Sequence, residues 1–315
     1  NGKGNIIESN DAFLDHISNI LQLKCININK IRQNNVKVVV DTVNGAAYRA
    51  LPELLEKLNC NVIKINCENT GHFPRGTEPI PSNLGDLSKA VREHKADIGL
   101  ATDPDADRLA IVDNTGLPIG EELTLILSIE SYLKYYKNNQ KIVTNLSTSM
   151  CVDVIAAKYK SVVERSSVGE INVVEKMKEV NSSLGGEGNG GVILEKSHLG
   201  RDSLVASSLV LNHLAQSNLP LNKIIEDIPR FVMIKDKLSI DNDIDFNNIK
   251  THFQNKDDIT IIEGDGLKIL WKDKWVHIRK SNTEPIIRII SEAVYGDEAE
   301  RLIDSIKDII SKSST

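Results

Sequence analysis

The sequence predicts an α/β fold: two related α/β domains with mixed sheets, followed by a C-terminal α+β domain. Three observations carry this. A β-branched strand, a helix and a second strand occur in the same order twice, and each round closes on two short strands around a polar loop. From about Ile228 the chain changes to alternating apolar and polar residues, the pattern of an antiparallel sheet covered on one face. At 315 residues the chain is long enough for two or three domains with an ample core.

Ala12 to Leu23 places Phe13, Leu14, Ile17, Ile20 and Leu21 at helical spacing, which predicts a connecting helix. Val36 to Val40 is an unbroken apolar run and predicts a buried parallel strand. Asp41-Thr42-Val43-Asn44-Gly45 turns into a helix running to about Leu58, and Asn61 to Ile65 is the next strand. A Pro- and Gly-rich loop, Gly71 to Pro81, precedes a helix from Leu84 to His94 and a strand from Ala96 to Thr102. Leu109 to Asp113 is the returning strand, and Glu121 to Tyr136 an amphipathic helix. The second round has strands at Lys141 to Asn145 and Val162-Val163, helices at Val152 to Lys158 and Ile171 to Val180, and two short strands within Leu184 to Leu194. A long helix, Asp202 to Gln216, follows, and the last helix spans Asp297 to about Ser311. The expected organisation is a connecting segment over 1–30, α/β domains over 31–138 and 139–220, and the α+β domain over 221–315.

Composition narrows the function. Charged residues make up 26% of the chain and the net charge is −6, which argues against a nucleic-acid-binding surface. Any bound anion must be held by local arginines and backbone amides. Cys25, Cys60, Cys67 and Cys151 form no C-x-x-C pair and have no histidines at zinc spacing, so inert thiols in a reducing cytoplasm are expected. No signal peptide or long apolar span is present, and no membrane partner is expected. Residue 1 is Asn rather than Met, which leaves room for residues upstream.

Chemistry concentrates in three loops. Asp103-Pro104-Asp105-Ala106-Asp107-Arg108 sets three carboxylates at alternate positions between two strands. Three converging carboxylates repel unless a hard divalent cation neutralises them, and Mg²⁺ is the usual occupant; the adjacent arginine suits phosphate. An EF-hand is disfavoured, because its sixth and twelfth positions are Arg108 and Asn114 rather than Gly and Glu. A phosphatase-type nucleophile loop would want Thr or Val where Asp107 stands, and a solvated acidic turn is the plain alternative. Gly186-Glu187-Gly188-Asn189-Gly190 holds a carboxylate and an amide between glycines, a donor and acceptor set that suits paired sugar hydroxyls. It lacks the G-x-G-x-x-G and P-loop lysine of nucleotide-binding loops; a plain hairpin is its bland alternative. Arg279-Lys280-Ser281-Asn282-Thr283-Glu284-Pro285, with Arg288 in the strand after it, collects guanidinium, hydroxyl, amide and backbone donors, the inventory of a phosphate cradle. Arg75-Gly76-Thr77-Glu78-Pro79 has similar letters but no preceding strand, and is read as structural.

All three loops, in this order, resemble the α-D-phosphohexomutase superfamily, which includes phosphoglucomutases, phosphomannomutases and phosphoglucosamine mutases. Ser167-Val168-Gly169, with Val173 four residues on, also resembles that family's third-domain turn. The resemblance runs over nearly the whole chain. It implies that Asp103, Asp105 and Asp107 ligate Mg²⁺ and that Arg108 lies by the phosphoryl group or the substrate. It implies further that Glu187 and Asn189 bind sugar hydroxyls, and that Arg279, Ser281, Asn282, Thr283 and Arg288 bind the distal phosphate. Arg201-Asp202 stands where the family often has a basic residue and Asp.

The family has four domains, and the first carries a phosphorylated serine in a loop close to Thr-Ala-Ser-His-Asn-Pro. Nothing like it occurs here; Ser197-His198 runs into Leu199-Gly200, in a different domain. The chain is therefore expected to be domains two to four, with the N-terminal phosphoserine domain absent, and to turn over nothing alone. The implied reaction is reversible transfer of a phosphoryl group between the 1- and 6-positions of a hexose phosphate, through the phosphoserine and a hexose bisphosphate. The general base is not assigned. The loops look most like the phosphoglucosamine mutase type; Asn282 also suits phosphomannomutase-like members, and a non-catalytic phosphosugar-binding remnant is the alternative of another class.

Overall fold

The structure, a computed structural model, describes residues 11–239, 244–254, 258–281 and 285–313. After helices α1 (Ala12–Leu21) and α2 (Ile28–Asn34), the first layer comprises β1 (Lys37–Asp41), α3 (Ala50–Lys57), β2 (Asn61–Ile65), α4 (Gly85–His94), β3 (Ile98–Thr102) and β4 (Leu109–Val112). Its sheet order is β2-β1-β3-β4, with β1 parallel to β2 and β3, and β4 antiparallel to β3. After α5 (Glu121–Tyr136) come β5 (Lys141–Asn145), α6 (Cys151–Lys158), β6 (Val162–Ser166), α7 (Glu170–Val180), β7 (Leu184–Glu187) and β8 (Gly191–Leu194). They repeat the pattern as β6-β5-β7-β8, extended by the short β9 (His198–Arg201). The two mixed sheets are thus the same unit twice, as the restart of the sequence pattern predicts.

Helix α8 (Ser203–Ser217) lies between these layers and is buried on every side from Ser203 to Ala215, which the absence of charged residues along it permits. Its hydroxyls turn back on their own helix, Ser207 Oγ donating to Ser203 O at 2.7 Å and Ser208 Oγ to Leu204 O at 3.0 Å. Asn212 Nδ2 donates to Cys25 O and Ser131 Oγ, fixing α8 against α2 and α5. One continuous apolar core results, running from Ile17 to Ile228 and serving both layers. Leu221 and Ile224 of α9 (Leu221–Glu226) close it, although they lie past residue 220.

The third unit contains β10 (Val232–Ser239), α10 (Phe246–Phe253), β11 (Thr260–Glu263), β12 (Leu267–Leu270), β13 (Lys274–Lys280), β14 (Ile286–Ala293) and α11 (Gly296–Ser313). Its sheet, in the order β10-β14-β13-β12-β11, is antiparallel throughout. It packs α10 and α11 on one face around a separate core that includes Ile249, Ile269, Ile278, Ile289 and Ile306. This is the α+β unit read from the alternation after Ile228.

Candidate active site

The turn after β1 shapes the first loop. Val43 and Asn44 adopt left-handed backbone, with φ of 50° and 55°, so α3 starts only at Ala50 and the predicted helix from the 41–45 turn is shorter than expected. Gly45 lies directly under Pro104: a Cβ there would sit 2.4 Å from Pro104 O, so only glycine allows this approach. Ala46 N then donates to Pro104 O at 2.7 Å, pinning the acidic loop. Within the loop Ala106 is left-handed at φ 64°, which helps turn alternate carboxylates toward one point.

Asp103, Asp105 and Asp107 each bring a carboxylate oxygen into a group whose members lie within 4.8 Å of one another. Asp103 is buried and Asp105 exposed, so the cluster opens outward. Burial, together with the neighbouring Asp107, pushes the Asp103 carboxyl above its usual range against the hydrogen bonds from Arg108. Buried Asp107 Oδ1 has no hydrogen-bond partner among the described residues. An oxygen-only donor set with an unsatisfied buried oxygen fits a hard cation. Arg108 lies across the cluster, its backbone N donating to Asp103 Oδ1 at 3.0 Å and its Nε to Asp103 Oδ2. Its Nη1 donates to Glu78 Oε2 at 2.6 Å.

The 71–81 loop is therefore more than a spacer. Arg75, in the stretch read as structural, is buried against Asp41 at the end of β1 (Nε to Oδ2, 2.9 Å) and also donates to Thr102 O. Glu78 reaches the site itself through Arg108. Sequence reasoning missed Glu78 because nothing in a Pro-rich loop reports which distant cation it will meet.

The glycine loop joins β7 to β8 and touches the acidic loop, Leu109 N donating to Gly190 O at 3.0 Å. Gly190, at φ 91°, leaves 2.5 Å between a would-be Cβ and Leu109 O. Glu187 is buried, and each of its oxygens is engaged: Oε1 accepts from Asn145 Nδ2 at 2.7 Å and Gly169 N at 3.0 Å, Oε2 from Arg201 Nη1 at 2.8 Å. Arg201 donates through Nη2 to Asp107 and through its backbone N to Glu170 Oε1, so one guanidinium links the acidic loop to the glycine loop. Arg201 lies on β9, a strand too short and Gly-interrupted to be read from the sequence.

Glu187, Asn189, Arg279 and Arg288 line one cleft of about 190 Å³ between the second and third units, with Asn145 and Ser147 on its wall. Arg279 and Arg288 are directly opposed across β13 and β14. Two guanidiniums side by side on one hairpin form a geometry that suits an anion. Arg279 Nε is buried and makes no hydrogen bond among the described residues, with Asp265 Oδ1 3.9 Å away. Ser281 closes the hairpin through its backbone N to Ile286 O. Asn282 and Thr283 lie outside the described residues. No helix among the described residues is long and apolar enough to cross a membrane.

Family models of phosphoglucomutase/phosphomannomutase match three successive stretches: alpha/beta/alpha domain II over residues 11–116, alpha/beta/alpha domain III over 120–231, and the C-terminal domain over 239–309. The chain is 35% identical over 281 residues to a phosphoglucomutase/phosphomannomutase of Thermococcus kodakarensis, covering 89% of this chain and 61% of that protein. It is 34% identical over 314 residues to a probable phosphoglucosamine mutase of Methanocella arvoryzae, covering 98% of this chain and 68% of that one. It thus spans between three-fifths and seven-tenths of these relatives' length. Among solved structures, a phosphoglucomutase/phosphomannomutase family protein of Burkholderia thailandensis superposes with a TM-score of 0.79 at 23% identity, over 91% of this chain and 64% of that one. This last likeness concerns the fold.

Proposed function

Because the chain belongs to the phosphoglucomutase/phosphomannomutase family, we propose that it supplies the metal, sugar and phosphate sites of a phosphohexomutase acting in the cytoplasm. The reaction is reversible phosphoryl transfer between the 1- and 6-positions of a hexose phosphate, by way of a phosphoserine and a hexose bisphosphate. In this reading the serine is supplied from outside these 315 residues, so the chain alone would not turn over. One observation supports the reading above the others: the opposed pair Arg279 and Arg288 shares a cleft with Glu187 and Asn189, and Arg201 ties that cleft to the acidic loop.

In this reading Asp103, Asp105 and Asp107 hold Mg²⁺, which when bound neutralises charge on the transferring phosphoryl oxygens. Arg108, held by Asp103 and Glu78, faces the phosphoryl group. Glu187 and Asn189 orient the sugar through its hydroxyls. Arg279 and Arg288, with Ser281, Asn282 and Thr283, grip the phosphate that is not reacting. Each of the three loops lies on its own unit, so relative movement of the third unit would close the cleft and exclude water.

Glucosamine 6-phosphate is the preferred substrate in this proposal, in line with the name of the Methanocella relative; the name of the Thermococcus relative favours mannose and glucose phosphates as the second reading. The test joins the chain to a serine-loop domain and assays glucosamine, mannose and glucose 6-phosphates side by side. Arg288→Ala is expected to raise KM about 10- to 100-fold, the value of a lost charge-assisted contact, and Asp105→Asn to remove turnover. Normal Mg²⁺-dependent rates in Asp105→Asn, or an unchanged KM in Arg288→Ala, would overturn the assignments. No turnover on any hexose phosphate would leave a phosphosugar-binding protein in place of an enzyme.

A further inference from the structure

Away from the cleft, three side chains from three elements converge on a point that phosphosugar chemistry does not use. His16 sits in the middle of α1, His198 opens β9, and Asp202 precedes α8. The two carboxylate oxygens of Asp202 are divided between tasks. Oδ1 caps the helix, accepting from Leu204 N at 2.8 Å and Val205 N at 3.1 Å. Oδ2 faces both imidazoles, 2.8 Å from His16 Nε2 and 3.1 Å from His198 Nε2. The rings meet edge to face with centroids 5.6 Å apart, and all three donor atoms lie within 4.8 Å of one another. Asp202 is buried, whereas the imidazole side chains are 30% and 46% exposed, so the triangle has one wet face.

Two imidazole nitrogens and a carboxylate oxygen form a donor set unlike the all-oxygen acidic loop. Imidazole favours Zn²⁺, Co²⁺ or Ni²⁺ over Mg²⁺. Ligand bonds of about 2.0–2.2 Å in a tetrahedral Zn²⁺ site place neighbouring donors roughly 3.3 Å apart. The two nitrogen-to-oxygen separations fall short of that by a few tenths of an ångström, within reach of small rotations of the exposed rings. The carboxylate is already oriented from behind by the helix-cap hydrogen bonds, as ligating carboxylates characteristically are.

We propose that His16 Nε2, His198 Nε2 and Asp202 Oδ2 form a transition-metal site of the Zn²⁺ class, with its fourth position open to water. The ion would join α1 to the start of α8, adding to the apolar packing of Ile17 and Ile20 and to the Asn19 Nδ2 to Ser197 O contact at 3.4 Å. Because Asp202 directly follows Arg201, it also steadies the backbone that carries the link between the acidic and glycine loops.

The competing arrangement is a metal-free clamp in which both Nε2–H groups donate to Oδ2. Zn²⁺ titration of the 315-residue chain by calorimetry, with Mg²⁺ in excess, separates the two. The site predicts one equivalent of tight Zn²⁺ that survives Asp103→Asn, a Tm raised by Zn²⁺ relative to chelator, and strong visible Co²⁺ absorption of a low-coordinate site. His16→Gln and His198→Gln keep a hydrogen-bond donor for Asp202, and so the fold, but should weaken Zn²⁺ binding at least ~10-fold and abolish the Tm response. Asp202 is left intact because it caps α8. Absence of stoichiometric Zn²⁺ in the wild type overturns the proposal, as does Zn²⁺ binding that the two Gln variants leave unchanged.

Discussion

Glu122 lies against the backbone of the glycine loop, so close that a Cβ on Gly188 would stand 2.0 Å from its Oε1. Its Oε2 accepts from Ser149 N at 3.1 Å. Burial pushes the carboxyl up to about 8, opposed by Lys235, so the native protein holds a proton here at neutral pH. The folded-state value exceeds the ordinary value of 4.5. The stabilisation from this proton is therefore complete below about pH 4.5 and is lost as pH rises through 8. Glu122→Gln keeps the shape and removes the titration. Compared with wild type, the variant should gain stability between about pH 5 and pH 8 in urea melts. The gain should be at least ~1 kcal/mol, because each tenfold change in proton affinity between the folded and unfolded chain is worth ~1.4 kcal/mol. A wild-type-to-variant difference that is the same at both pH values would show that Glu122 ionises normally in the fold.

At the scale of elements, the coupling of the acidic loop to the glycine loop rests on Gly190. Its left-handed backbone and its 2.5 Å clearance to Leu109 O leave no room for a side chain. Gly190→Ala should cost ~2 kcal/mol or more from strain and displacement of a backbone contact, read as a lowered denaturation midpoint with unchanged m-value. A neutral substitution would mean that the loops are not held together here. Much of this architecture was legible: the β-branched run of β1 and the repeated strand–helix–strand order gave both mixed sheets, and the three loops lie at strand ends as the pattern implied. What was not legible had too little local signal. Helix α2 has seven residues and β9 four, with a glycine inside it, so neither shows a period. The partners of Arg108 and Arg201 were hidden for another reason: Glu78 and Glu170 lie some 30 residues from them, and pairing at that separation is decided by packing. The Arg279 and Arg288 opposition, by contrast, follows from hairpin register, which the short turn between two clear strands makes readable.

Across the whole molecule, the third unit has its own core and meets the second unit through polar contacts that cluster on the turns after β5 and β6. Ser147 Oγ pairs with His277 Nδ1 at 2.9 Å, Met150 N donates to Glu292 Oε2 at 2.8 Å, and Val168 N donates to Asp265 Oδ2 at 2.7 Å. A polar junction between separate cores is the kind that permits relative movement, as the proposed closing of the cleft shared by Glu187 and Arg279 needs. Lys268 is the costly member of this junction. Its ammonium is buried 3.9 Å from the centre of the Trp275 ring and donates to Leu146 O. Burial, with the nearby Arg165 charge, lowers it to about 7 from an ordinary 10.5. In that interval the unfolded chain binds the proton that the native protein has released, so this residue makes stability rise with pH from about 7 to 10.5. Lys268→Met fills the same space over Trp275 without the charge and should erase the slope. The informative quantity is the wild-type-minus-variant stability at about pH 7 and pH 9, measured in a Glu122→Gln background because Glu122 acts on Lys268 and titrates in the same range; the thiols cancel. Wild type should gain on the variant by about 2 kcal/mol across that range, and a difference that stays flat would place a fully charged ammonium inside the junction.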